Sequence, residues 1–187
     1  MNSNIVKAAI LATSIAIPAE GLRLNSYLDQ VGILTVCYGH TGADMVKGKN
    51  YSLAECRQHL NDDMMNALSI VDRCHPNLPV KVLAAFGDAT FNIGPKVACK
   101  STASKYLDAG NLVAACNELP KWNKARVGGV LTELTGLTKR REIERKLCLD
   151  GASDGIVESV QLPESKPLTL WQRIGGWFED FLDWIAI

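Results

Sequence analysis

Apolar positions gather at the two ends of the chain and recur at helical or alternating spacing between them. Residues 5–19, IVKAAILATSIAIPA, are apolar apart from Lys7, Thr13 and Ser14. The uncharged run, residues 8–19, is twelve long. A bilayer-spanning helix needs about 20 residues, whereas the apolar region of an export signal typically has about 7–15. Three readings stay open: a first helix packed in the domain, a cleaved signal, and a weak membrane anchor that later releases. Cleavage after Ala19 would make Glu20 the N-terminus and spoil any helix that holds it. That favours a helix that packs in the folded protein and also serves export. Pro18 is unexpected in either case, because it removes a helix hydrogen bond just before Glu20.

Residues 32–51 hold glycine, threonine and β-branched residues and predict a small sheet with tight turns. Ser52 followed by Glu55 is a capping box that opens a long helix. Leu53, Cys56, Leu60, Met64, Ala67 and Val71 form its predicted apolar stripe, and Pro76 and Pro79 end it. Residues 80–94 predict an apolar helix through the core. Ser101 and Asn111 open two further short helices, and residues 137–149 a charged amphipathic one. A small β-lobe followed by a helical lobe is an α+β arrangement, mainly α.

After Gly151 the chain turns polar, with two prolines, and reads as a linker. In the last twenty residues Trp171, Ile174, Phe178, Phe181 and Ile185 recur at helical spacing, with Glu179, Asp180 and Asp183 opposite. Such a helix docks on an apolar groove, self-associates, or touches membrane. Membrane-surface helices usually carry Lys or Arg on the polar face, and this one has only Arg173, which favours docking or weak self-association.

The formal net charge of zero conceals an asymmetry. Residues 20–149 hold 17 Lys/Arg against 13 Asp/Glu, whereas residues 150–187 hold 2 against 7. A mildly basic body suits an anionic polymer such as bacterial cell wall. The excess is too small to argue for nucleic acid, and no helix concentrates Arg and Lys on one face. Of the six cysteines, none forms a CxxC pair, which argues against a zinc site or a thioredoxin-like motif. Fifteen full pairings are open; Cys99 and Cys116, flanking a short helical hairpin, are the first expected pair. Free buried thiols are the alternative.

Glu20 ends the first apolar run, Asp29 falls in a turn before Gly32, and Thr35 lies in the β-like residues 33–38. A carboxylate pair across a cleft is the usual equipment for cutting a glycosidic bond. Glu20 follows Ala16, Ile17, Pro18 and Ala19, an apolar wall expected to keep it protonated, while Asp29 sits in a more polar turn and stays ionised. Thr35 is placed to hold a water between them. Cys37, two residues on, shares its sheet face, so a bridge there would shape or block the cleft. By spacing alone, two acids nine residues apart are commonplace surface groups.

The wider string E-G-L-R-L-x-x-Y-x-D-x-x-G-x-x-T-x-x-x-G-H, from Glu20 to His40, resembles the active-site segment of the lysozymes of tailed bacteriophages, the endolysins. Phe91-Asn92-Ile93-Gly94, Ser101-Thr102, Leu107 to Gly110, Trp122, and Gly136-Leu137 with Arg140, Arg141 and Glu144 follow that family's order and spacing, over about residues 20–149. The resemblance implies a two-lobed lysozyme-like fold with a cleft between lobes. It implies an inverting muramidase acting on the β-1,4 bond between N-acetylmuramic acid and N-acetylglucosamine. Glu20 would be the general acid, Asp29 would position or deprotonate the water, and Thr35 would hold it. Tyr27, Asn92, His40 and Arg141 are the softer substrate-binding candidates, His40 having a packing role as its alternative. Arg140 or Arg141 is expected to pair with Glu20. No metal or organic cofactor is expected, and the partner is peptidoglycan, reached in the periplasm. The organisation expected is an apolar helix over 1–19, a lysozyme domain over 20–151, a linker over 152–167 and a tail helix over 168–187.

Overall fold

The computed structural model describes residues 3–28 and 32–159, so Asp29 and the tryptophan-rich tail lie outside the described residues. The order is α1 (Ser3–Glu20), β1 (Arg23–Leu28), β2 (Leu34–Cys37), α2 (Leu53–Cys74), α3 (Val80–Ile93), α4 (Lys96–Cys99), α5 (Thr102–Asp108), α6 (Leu112–Glu118), β3 (Lys124–Val127), β4 (Val130–Glu133) and α7 (Thr135–Ser159). It is a mainly helical α+β fold with two small antiparallel two-stranded sheets.

Helix α1 packs on α2 and α3. Its buried residues are Ala8, Ala9, Ala12, Ile15 and Ala16, a face of small side chains that brings backbones close, while Val6, Ile10 and Ile17 stay exposed. Pro18 falls in the last turn, and the helix continues past it to Glu20. Gly21 (φ +71°) then turns the chain out in the left-handed conformation that glycine adopts without steric cost. Among the described residues no helix is long and apolar enough to cross a membrane.

The capping box is present: Ser52 accepts from the Glu55 amide, and the Glu55 carboxylate accepts from the Ser52 amide. The stripe of α2 differs at two positions from the predicted one. Leu53, in the first turn, is exposed, and Leu68 is buried because it packs against Gly87 of α3. Helix α3 lies on α2 so closely that a Cβ added at Gly87 would sit 2.3 Å from Leu68 Cδ2. Strands were expected within 32–51, but β2 pairs with β1, which precedes that stretch, with Tyr27 opposite Thr35. The β3–β4 hairpin, with Val127 opposite Val130 across Gly128-Gly129, was not expected.

Two further expectations are corrected. Residues 152–159 are helical rather than linker, because α7 carries on beyond Gly151. A Cβ at Gly151 would lie 2.7 Å from Lys81 Cβ, so this glycine is a close-packing contact with α3 and no chain break. Lys81 adds ion pairs to Asp154 (2.7 Å) and Asp150 (3.7 Å).

The cysteine pairing is the other correction. The bridges are Cys37–Cys56, Cys74–Cys99 and Cys116–Cys148, so Cys99 and Cys116 do not pair with each other. Cys74 ends α2 beside α4, where buried His75 donates from Nε2 to the Ala98 carbonyl at 2.7 Å, and Cys116 on α6 faces α7 instead. The Cys116–Cys148 bridge closes the longest of the three loops, 32 residues. Replacing both cysteines by alanine is expected to lower unfolding stability by about 2–4 kcal/mol, read by chemical denaturation.

Candidate active site

Glu20 opens onto a cavity of about 350 Å³. One wall comes from α2, where Asp63, Asn66, Ala67 and Ile70 fall at helical spacing on one side. Thr90, Phe91, Asn92 and Pro95 form the opposite wall, and Tyr38, Gly39 and Thr41 the β-side rim. Gly39 has φ +83°, and a Cβ there would stand 3.5 Å from Glu20 Oε2. The chain therefore turns tightly past the carboxylate at a position suited to glycine.

The apolar wall expected around Glu20 is not what its carboxylate meets. Arg140 donates from Nη1 to Glu20 Oε1 at 2.5 Å, and the Asn92 amide lies 3.4 Å from the same oxygen. Arg140 is itself clamped in bidentate fashion by buried Asp88, at 2.9 and 2.8 Å. Burial works against its charge, but the hydrogen bonds and charges of Asp88 and Glu20 prevail and hold it protonated. Arg140 is thus the arginine that pairs with Glu20. Arg141 turns the other way: it is fully buried, donates from Nη2 to Asn92 Oδ1 at 3.0 Å, and bonds to Glu144. It cannot touch a substrate and instead positions Asn92, a correction to its expected binding role.

Glu144 is buried and its pKa is raised well above the usual carboxylate range, first by burial and then by a hydrogen bond with Asp88. Burial also lowers the Arg141 pKa. Three carboxylates (Glu20, Asp88, Glu144) therefore surround two guanidiniums, and the raised Glu144 pKa lets the buried end of this cluster hold a proton.

Thr35 is buried and donates from Oγ1 to the Ile33 carbonyl at 3.1 Å. Tyr27 faces it across the β1–β2 pair, with Arg23 over its ring at 4.4 Å. Of the expected site residues, the cavity lining brings together Glu20 and Asn92; Thr35, Tyr27, His40 and Arg141 are not part of it. His40 Nδ1 pairs with Asp63 Oδ2 at 2.7 Å, and its ring stacks on His59 at 4.1 Å. Burial works against its charge, but Asp63 and then Asp44 outweigh that and raise its pKa. The residues that sequence reasoning missed, Asp63 and Asn66, carry a legible signal. They are polar positions flanking the apolar stripe of α2 at a spacing of three.

The fold and this cavity define a glycosidase of the lysozyme class. Residues 18–144 match the family described as phage lysozyme. The chain is 37% identical over 161 residues to the SAR-endolysin of Bacteriophage PS119, covering 79% of this chain and 94% of that one. Its fold matches the endolysin from Escherichia coli O157:H7 phage FAHEc1 with a TM-score of 0.67 at 28% identity, covering 77% and 91%. It also matches the active form of the P1 phage endolysin Lyz with a TM-score of 0.66 at 25% identity, covering 75% and 84%. The chain belongs to the phage lysozyme family. It is a muramidase of the endolysin type, which degrades peptidoglycan in host lysis.

Proposed function

We propose that the protein cleaves the β-1,4 bond between N-acetylmuramic acid and N-acetylglucosamine by inversion, with Glu20 as general acid. The observation that carries this reading is the position of Glu20. One oxygen is fixed by Arg140 and Asn92, and the other faces Gly39 at the cavity rim. A carboxyl group held at one oxygen presents the other in a defined direction, which is what protonation of a leaving oxygen needs. Asp29 activates the attacking water, and Thr35 holds it through the lone pairs that its bond to Ile33 leaves unused. Tyr27 and Asn92 line the approach to the sugar.

The protein acts in the periplasm. Three disulfides that use every cysteine suit an oxidising compartment, and the relatives named as SAR-endolysins support export that begins at the apolar N-terminal segment.

Digestion of purified peptidoglycan tests the reaction. A β bond cut with inversion first releases the α-anomer, visible by NMR before mutarotation. Hydrated reducing ends carrying the α-anomer are the expected product. A first-formed β-anomer would replace inversion by retention, and anhydro-muramyl ends would replace hydrolysis by transglycosylation.

A further inference from the structure

Helix α3 is largely apolar, yet Asp88 lies in its middle and is fully buried. A carboxylate taken out of water is costly unless it is paired and hydrogen-bonded. Its partner is Arg140 of α7, from which it accepts at both Nε (2.9 Å) and Nη2 (2.8 Å). Such a pair adds little net stability, because desolvation of the two charges offsets their attraction. Its effect on direction is larger. Nε and Nη2 form one edge of a planar, rigid guanidinium, and Nη1 leaves from the opposite end. Two bonds hold that edge, and the Phe91 ring lies against the guanidinium at 5.9 Å from its centroid. Nη1 is thereby aimed at Glu20 Oε1, 2.5 Å away.

The contact that orients Glu20 also endangers its proton. An unopposed guanidinium beside a carboxyl favours the ionised form and lowers the carboxyl pKa by about 1–3. An ionised Glu20 has no proton to give a leaving oxygen. Asp88 opposes that charge at the far edge of the same guanidinium. The other charged groups nearby are placed differently. Arg141 and Glu144 of α7 are buried against each other, Lys139 of α7 lies in the groove on the α1 side of Glu20, and Asp63 of α2 stands across the cavity. Asp29, the second carboxylate of the proposed reaction, is outside the described residues. Among the described residues, Arg140 is the cation that bonds to Glu20.

We propose that Asp88 is a positioning residue for Glu20. Through Arg140 it fixes where the acid points, and it offsets the positive charge that would otherwise take the acid's proton. The inference rests on the reading of Glu20 as the general acid.

The test follows hydrolysis of purified peptidoglycan across pH, beside melting curves. The alkaline limb of the rate profile reports loss of the acid's proton. Asp88→Asn leaves Arg140 unopposed, so the limb is expected to move to lower pH by about one unit or more. The double variant Asp88→Asn, Arg140→Gln removes both charges. Its limb is expected at the parent position, with a lower plateau rate because Glu20 has lost its guide. Arg140→Lys keeps both charges but not the fork, and is expected to lower the plateau at least about tenfold with the limb in place. A folded Asp88→Asn with the parent's limb overturns the proposal. If that variant does not fold, the double variant decides, since it strands no charge. A limb above the parent's would then show that Arg140 acts on Glu20 without opposition from Asp88, and would overturn the proposal too. Glu20→Gln, run alongside, separates the two readings. An active Glu20→Gln removes the acid itself, whereas an inactive one beside an unshifted Asp88→Asn keeps the acid and removes only the part given to Asp88.

Discussion

Replacing Glu20 by glutamine is expected to cut the rate of wall clearing by about 10²–10⁴-fold, the usual contribution of a positioned general acid. The amide keeps the shape of the side chain and still offers an oxygen to Arg140, but it has no proton to give a leaving oxygen. Stability is expected to change by no more than about 1 kcal/mol, because Arg140 keeps both bonds to Asp88. Clearing of purified wall by the variant, beside its melting curve, separates lost chemistry from lost fold. Undiminished clearing with a normal melting curve would remove Glu20 from the reaction and leave the cavity as a binding site.

The second large effect is expected from Arg141→Met. Arg141 and Glu144 are both fully buried, so the variant leaves Glu144 only the more distant Arg140, at 3.7 Å, as a cation. Removing one partner of a buried ion pair costs about 3–5 kcal/mol. The Glu144 pKa is already raised, and without Arg141 it rises further, so the native state holds a proton that the unfolded chain releases at ordinary carboxylate pH. A folded pKa above the unfolded one gives stability that is present in acid and lost as pH rises. The deficit of the variant is therefore expected to be small near pH 4 and to grow toward neutrality, and denaturant titrations across that range will show it. The double variant Arg141→Met, Glu144→Leu is expected to recover most of the loss, since apolar groups of similar volume fill the same space without a stranded charge. A single variant as stable as the parent at neutral pH would mean that the pair contributes nothing. Asn92, deprived of its Arg141 bond, loses its fixed orientation beside Glu20, so activity should fall in both variants.

Helix starts were legible from local chemistry. Ser52 and Glu55 satisfy each other within four residues, and Ser101 and Asn111 accept from the amides of Ser104 and Ala114 in the same local way. Features that depend on distant neighbours were not legible. Gly151 resembles a linker glycine in a polar stretch, and only the approach of Lys81 and Val82 shows why a side chain is excluded there. The pairing of Cys116 with Cys148 likewise depends on α7 facing α6. The β3–β4 hairpin did carry a local signal, two valines around Gly128-Gly129, but it was hidden in a short, exposed segment with little apolar alternation. At the site, the resemblance of residues 20–40 pointed to Glu20, while the partner of Glu20 required the structure. Arg140 and Arg141 are adjacent in sequence, and which of them turns toward Glu20 depends on Asp88, 52 residues away.

The three disulfides span residues 37–56, 74–99 and 116–148, in series, with no span crossing or enclosing another. In a chain that enters an oxidising compartment N-terminus first, each cysteine finds its mate in the next one to arrive, so vectorial delivery alone favours this pairing among the fifteen. Residues 3–36 precede every covalent ring, and this part of the sequence includes α1 with Glu20 and the β1 strand with Tyr27. The acid is therefore held in place by the packing of α1 on α2 and α3 and by its bond to Arg140, with no covalent bridge of its own.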